Sequence, residues 1–597
     1  MKQGNLEKWT DCKSCENLLF FSELVNELLF DYSIPSNRVA TLNSHFLCLD
    51  AMSAITGIDR NGVPEGTLKP IAEELFNALK VDPVFVDPET TPLNYFVKND
   101  KRGFRIVDNI FELNYQELKK SIISVYTLFF DENKYFYSLE RRIKAIIINN
   151  DTKQQLLLFR LVKSLLTEII NIGYSSKYIY YIMDSCYWNS KIPINNPSQI
   201  DLFFNNFLLK RKDFKVVFIV DKNKIYKYKR FSHNIELHDS LEIRTKTHKE
   251  HQFINIKEKQ SFITVDTKAL DFYSAAENAR GLLSLDISIY RLYNHEYRYN
   301  INTVDCGVYE ENTFFRVSSP KSAVSHKKMP SDKQIKESVE ISEKALKIAI
   351  KKDRYDLPFT LMKAIEFHSH SLDSISKENQ LLDFWAIFEA VLDISNEHTS
   401  DRIHQVCLHL VPILKRRYIY SLFEQLASDI KTYSEEDYCT IIGNANNNSE
   451  IVQKTCEFVL LKENQDQRDR FLAKCDCYPL LKERINYYAD KLKSPKDICL
   501  FVEKHADRVK WQIMRIYRNR NLIIHNGESM PYLNLLIENL HSYVDEFIEY
   551  VFMSISEGNT IESMCQDLFI KECQWNTQFS RNKNELSADT ITAMLSY

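Results

Sequence analysis

The sequence predicts a mainly α-helical protein with a small central α+β module built on an antiparallel sheet. On either side of residues 211–318, long stretches place Leu, Ile and Phe at the spacing of amphipathic helices. Within 211–318 the period changes to short, alternating, β-branched runs separated by polar residues. A linker rich in Ser, Pro and Lys, Ser318-Ser-Pro-Lys-Ser-Ala-Val-Ser-His-Lys-Lys-Met-Pro-Ser331, follows before helical spacing resumes.

In chain order, residues 1–210 read as a helical region. An apolar helix is expected over 18–30, and clear helical spacing runs over 115–130, 137–148 and 155–172. Turn clusters interrupt the pattern at 83–92 and 190–197. Gly173 stops the third of these helices, and Ser175 or Ser176 can cap the next. In the module (211–318), strands are expected at 215–221, 224–230, 241–247, 252–256, 261–265, 303–308 and 313–317, with a helix over 269–293. Residues 319–331 form the linker. Beyond it, helices are expected at 333–351, 359–370, 377–392, 400–427, 451–462, 479–491, 495–525 and 531–556. They make a helical domain over 332–575, and 576–597 is read as a polar tail.

Composition narrows the function classes. With 44% hydrophobic and 26% charged residues, the 597-residue chain is ordinary globular material, and 36 Phe and 32 Tyr supply a sizeable core. A net charge of −4 excludes a global basic field that recruits nucleic acid, so any RNA contact must come from local patches. No glycine-rich phosphate loop occurs among 11 glycines, which argues against a Walker or Rossmann nucleotide site. No apolar run reaches the roughly 20 residues of a membrane span, and Met1–Lys8 lacks an apolar signal core. A cytoplasmic location is expected, and thirteen scattered cysteines fit a reducing compartment.

Cys12-Lys-Ser-Cys15 and His45-Phe-Leu-Cys48 make a CxxC…HxxC arrangement that could close a tetrahedral zinc site. The competing reading is buried free thiols. The apolar helix expected between the two pairs favours the thiols.

The residues richest in chemistry lie in Arg515-Ile-Tyr-Arg-Asn-Arg-Asn-Leu-Ile-Ile-His-Asn-Gly527, a helix ending at Asn526-Gly527. At about 100° per residue, Ile513, Ile516, Tyr517, Ile523 and Ile524 form one stripe with Arg520 in its middle. Asn521 and His525, four apart, share its flank, and Arg518 lies beyond, toward a polar side. An arginine on an apolar stripe needs an anion or acceptors. On 377–392, Leu381, Phe384, Trp385, Phe388 and Leu392 form a core stripe with Glu389 beside it, a natural partner for Arg520. Loss of a buried Arg520 would cost about 3 kcal/mol, and loss of Arg518 at most about 1 kcal/mol. The constellation fits either a packing ion pair or an anion-binding, proton-transferring face. Arginine offers phosphate a bidentate fork, and histidine titrates near neutrality. Arg515 and Arg518 are further candidates for phosphate contacts. His368 and His370, two apart, point to different sides of a helix and stay outside the site.

Arg520-Asn521-Leu-Ile-Ile-His525, with a basic residue upstream and Asn-Gly downstream, resembles the R-N-x-x-x-H motif of the HEPN superfamily of helical ribonucleases. Leu381-Leu-Asp-Phe-Trp-Ala-Ile-Phe-Glu-Ala-Val-Leu392 resembles the earlier helix of that domain in Apea-like abortive-infection proteins. The likeness covers roughly residues 330–560. It implies that 332–575 is a HEPN helical bundle acting as a metal-independent endoribonuclease with no cofactor. The RNA 2′-OH would be the nucleophile and His525 the general acid–base. Arg520 would stabilise charge on the phosphorus oxygens, Asn521 would orient His525 or the phosphate, and Glu389 would support the arginine. The resemblance further implies a homodimer, or a two-fold multiple of one, with motifs facing across a shared cleft. It also implies a role in abortive anti-phage defence, with residues 1–318 sensing a phage-derived trigger or restraining the nuclease. Two other readings stand beside it. One is a non-catalytic HEPN dimerisation or interaction protein, and the other a zinc-dependent nucleic-acid binder centred on Cys12–Cys48.

Overall fold

The computed structural model describes residues 5–29, 42–60, 65–85, 91–100, 103–222, 234–242, 244, 247–292, 305–318, 332–351, 356–374, 376–392, 399–530 and 532–595. The chain is mainly helical with a small α+β module. It packs as two compact units, one gathering Asp11–Ser164 and Ala323–Tyr597, the other Asn5–Thr10 and Leu165–Ser322. The division between the units falls after Ser164, within an amphipathic helix (Gln155–Ile172) whose Leu161, Val162, Leu165 and Ile169 are buried.

The first unit opens with α1 (Glu16–Leu29), α2 (Ser44–Asp59) and α3 (Leu68–Val81), followed by the hairpin β1 (Val97–Asp100) and β2 (Gly103–Ile106). Next come α4 (Tyr115–Val125), α5 (Lys134–Asn149) and α6 (Gln155–Ile172), of which the residues from Leu165 on belong to the second unit. Asn43 caps α2 by accepting from the Phe46 amide, and Asn114 with Glu117 forms a capping box at α4. The helix expected over 115–130 leaves α geometry at Tyr126, where a π turn takes over to Phe130.

In the second unit, α7 (Ser176–Met183) starts at the Ser175 cap that the sequence suggests, and α8 (Asp201–Phe204) is one turn. The module then runs β3 (Lys212–Asp221), β4 (Ile235–His238), α9 (His248–Ile254), β5 (Gln260–Ala269), α10 (Phe272–Arg291), β6 (Asp305–Glu310) and β7 (Thr313–Ser318). The sheet order is β4-β5-β3-β6-β7, antiparallel throughout, with β3 and β5 paired from Lys212↔Ala269 to Asp221↔Gln260. Val216, Phe218 and Val265 on one face share a core with Ala275, Ala276 and Ala279 of α10. On the other face Val217, Phe262 and Tyr309 pack with Phe253 of α9.

Residues 252–256, expected as a strand, lie mostly in α9. Thr247 accepts from the Glu250 amide and nucleates a helix whose Phe253 reaches the sheet. The expected strand at 224–230 and the linker 319–331 fall outside the described residues, as do 243, 245 and 246 of the strand expected at 241–247, whose described residues lie in no strand. Strand β4 occupies 235–238, where none was expected.

The first unit resumes with α11 (Asp332–Lys351), α12 (Asp356–Asp373), α13 (Lys377–Val391), α14 (Thr399–Arg416), α15 (Tyr418–Tyr433), α16 (Glu435–Ile442) and α17 (Asn448–Leu460). It ends with α18 (Gln465–Lys474), α19 (Pro479–Lys491), α20 (Pro495–Asn526), α21 (Leu533–Ser556), α22 (Ile561–Phe579) and α23 (Ala588–Leu595). The single helix expected over 400–427 is two, α14 and α15, broken at Arg417. The expected polar tail carries α23, whose Ile591 and Met594 are buried with Trp575 and Phe579. Two apolar cores result. One joins Phe384, Trp385 and Phe388 of α13 to Ile513 and Ile516 of α20 and to Leu536, Leu540 and Phe547 of α21. The other joins Leu422 and Phe423 of α15 and Val452 of α17 to Ile498 and Val502, also of α20. Helix α20 therefore threads both.

Carboxylates of α1 are buried against α19. The Leu480 amide donates to Glu23 at 3.0 Å, and the Arg484 guanidinium is shared by Glu27 and Asp429. Burial is the main cause that pushes the Glu23 carboxyl from its ordinary 4.5 up to about 8, with Glu27 adding to the rise and Leu480 and Arg484 opposing it. A carboxyl raised in the folded state contributes stability that is full below about 4.5 and is lost as pH rises through about 8. Urea denaturation across that range should show the unfolding free energy of the native chain falling with pH. In Glu23→Gln, which keeps an acceptor for Leu480, that fall should shrink.

Candidate functional site

The site is built on the last turns of α20. Ser494 caps the start of this helix through the Asp497 amide, with Pro495 in the first turn. At its end Gly527 adopts φ 67, the left-handed conformation open to glycine, and its amide returns to the Ile523 carbonyl. The helix stop expected at Asn526-Gly527 is where the chain turns.

The face that α20 buries differs from the expected stripe. Ile513 and Ile516 are buried as expected, but Ile524 is 47% exposed. The arginine at the centre of the buried face is Arg515, 1% exposed, rather than Arg520. Arg515 is paired with Glu74 of α3, faces Asp50 of α2 at 3.7 Å and donates to Gln512 at 2.6 Å. Arg518 donates to Asp50 at 2.6 Å. The physical reason is that α2 and α3 cover the side of α20 that helix periodicity alone assigns to solvent. Arg515 and Arg518, candidates for phosphate contacts, are thus engaged with carboxylates of their own chain, and Arg515 is closed to solvent.

Arg520 sits at the rim. Its Nη2 donates to Glu389 at 3.3 Å and its Nη1 to Asn521 Oδ1 at 3.2 Å, with 22% of its side chain exposed against 31% for Glu389. The expected Arg520–Glu389 pair therefore forms, but half in water. Trp385, buried and one turn back on α13, donates its indole N–H to Glu389 Oε1 at 2.9 Å, and its ring lies 5.4 Å from that of Tyr517. A line of contacts thus runs Trp385, Glu389, Arg520, Asn521 from core to surface. His525, one turn beyond Asn521, is exposed and makes no hydrogen bond among the described residues. Beneath it, buried Asn519 donates to the Arg515 carbonyl and accepts from the Met530 amide at 3.3 Å, tying the turn after Gly527 to the helix. Sequence reasoning passed over Asn519, Asp50 and Glu74. Asn519 lies inside the motif stretch, whereas Asp50 and Glu74 carry no signal apart from their acidity.

The CxxC…HxxC residues do not assemble. Cys12 lies beside Cys477, and burial together with that neighbour pushes its thiol up to about 12. Cys48 donates to the Ile122 carbonyl at 3.7 Å, and burial raises its pKa as well. The His45 ring stacks on Phe130 at 5.3 Å within an aromatic cluster. Among the described residues the four make no group able to share an ion.

These placements move the costly arginine from Arg520, where periodicity puts it, to Arg515. Arg515→Ala takes from Glu74 its cation, while Asp50 keeps Arg518, and should cost about 3–5 kcal/mol. Arg520→Ala, at a half-solvated pair, should cost about 1 kcal/mol or less. Chemical denaturation of the two variants measures both. Comparison of the chain with protein-family models, with curated proteins and with solved structures finds no match.

Proposed function

We propose that the chain is a metal-independent endoribonuclease of HEPN type. The reading rests on the likeness of Arg520-Asn521-x-x-x-His525 to the motif of those enzymes. The observation that carries it furthest is the arrangement at the end of α20: a cation braced by Glu389 and linked to Asn521, with an exposed imidazole on the next turn. RNA would approach this rim with its phosphate toward Arg520. His525 would take the proton of the attacking 2′-OH or hand one to the leaving 5′-oxygen. Arg520 would stabilise charge building on the non-bridging oxygens, and its contact with Glu389 keeps the fork oriented between turnovers. Two protomers, as a homodimer or a two-fold multiple, would place their motifs across one cleft. In a bacterial cell, cleavage of host RNA would halt growth during phage infection, set off by a phage-derived trigger acting through residues 1–318. A cut at residue 330 is a poor test of that restraint, because it removes Asp50 and Glu74 from the motif helix.

One feature favours the second reading, a non-catalytic interaction module: Arg520 already has a carboxylate partner. The two readings part on His525. Incubation of the full chain with total RNA in EDTA should give cleavage with 2′,3′-cyclic phosphate or its opened product. His525→Ala should abolish cleavage with the melting temperature unchanged. A strict divalent-metal requirement or 5′-phosphate ends would overturn the mechanism. Altered assembly without any cleavage in the parent chain would favour the interaction module.

A further inference from the structure

Away from the motif, the same bundle holds a second constellation with metal-ligand chemistry. His541 and Asp545 lie four apart on α21 and so share one face. His368 reaches the same spot from α12. His368 Nε2 lies 3.0 Å from Asp545 Oδ1, and His541 Nε2 lies 3.3 Å from Asp545 Oδ2. One ligand atom from each of the three residues falls within 4.8 Å of the other two. For a tetrahedral ion with bonds of about 2.0–2.1 Å, neighbouring ligand atoms stand roughly 3.4 Å apart; the two His–Asp separations, each to a different oxygen of Asp545, are 3.0 and 3.3 Å.

The rings are held before any ion arrives. Phe384 of α13 stacks on His541 with centroids 5.1 Å apart, and meets the His368 ring edge-on at 5.6 Å. His541 is 7% exposed, whereas His368 and Asp545 are 25% and 36% exposed, so one ligand is anchored in the core and two border solvent. That combination leaves an entry path and room for water in the remaining positions. Phe384 and Glu389 are five apart on α13, about 140° round the helix, so this cluster and the Arg520 rim use different faces of α13.

We propose that His368, His541 and Asp545 bind one zinc-class divalent cation. Two imidazoles and a carboxylate suit Zn²⁺ and its first-row neighbours rather than Mg²⁺ or Ca²⁺, which prefer all-oxygen shells. The ion clamps α12 to α21, two helices distant in sequence, and its binding energy adds to the stability of the bundle. This proposal is independent of RNA cleavage, and its test does not read activity.

The test uses the full chain, stripped with EDTA, returned to chelator-free buffer and titrated with Co²⁺ and then Zn²⁺. The proposal expects visible d–d bands saturating at one equivalent of Co²⁺, displaced by Zn²⁺, without the strong near-ultraviolet thiolate charge transfer that a cysteine site gives. It also expects Zn²⁺ to raise the melting temperature of the stripped chain. His368→Gln and Asp545→Asn keep side-chain volume at partly exposed positions. Each, with its helical circular dichroism intact, should weaken Co²⁺ binding about ten-fold or more. Absence of the bands, thiolate charge transfer in their place, or unchanged affinity in both variants would overturn the proposal. In any of those cases the three residues form only a hydrogen-bonded His–Asp–His network.

Discussion

A guanidinium with 1% of its surface exposed has to be neutralised where it sits, and Arg515 on α20 is such a group. Its anions come from far away in sequence, Glu74 on α3 and Asp50 on α2, and Asp50 serves Arg518 as well. Taking one partner from a buried pair leaves an uncompensated charge and costs several kcal/mol. The helix that carries the motif is therefore tied to the first helices of the chain by electrostatics as well as by packing. Arg484, shared by Glu27 of α1 and Asp429 of α15, repeats the arrangement on α19. The first helices are part of the scaffold that positions the motif.

That constraint explains how a half-solvated site stays in place. The first half of α20 is gripped by one core through Ile498 and Val502, and its second half by the other through Val509, Ile513 and Ile516. Past Ile516 the apolar contacts thin, and polar ties take over. Asn519 holds the following turn through Met530, and Glu389, itself held by buried Trp385, braces Arg520. The side chains nearest to solvent, Asn521 and His525, end this gradient. The proposed ribonuclease chemistry would need such a gradient, with its cation oriented from behind and its imidazole open to substrate.

Much of this was legible in the sequence. Periodicity located α13, α19 and α20 to within a residue or two, and the Arg520–Glu389 partnership followed from two apolar stripes. The rotational setting of α20 was not legible. Periodicity ranks faces by apolar content alone, whereas here polar residues on α2 and α3 bury Arg515 and leave Ile524 exposed. The same limit hid the His368/His541/Asp545 cluster: His368 and His541 lie on separate helices, and only tertiary packing brings them together. It also gave Cys12, Cys15, His45 and Cys48 a pattern without a place, since spacing carries no information about what α1 packs against. The helix in the expected polar tail was missed because two buried side chains, Ile591 and Met594, suffice to dock a short helix.

The claim on which these relations rest is that carboxylates of the first helices hold the motif end of α20. Amide hydrogen exchange across residues 495–527 in the full chain, native against Asp50→Ala, tests it most directly. The account predicts faster exchange over the last turns of α20, around Arg515 to His525, with protection kept where Ile498 and Val502 anchor its first half. Unchanged exchange over those last turns would contradict it.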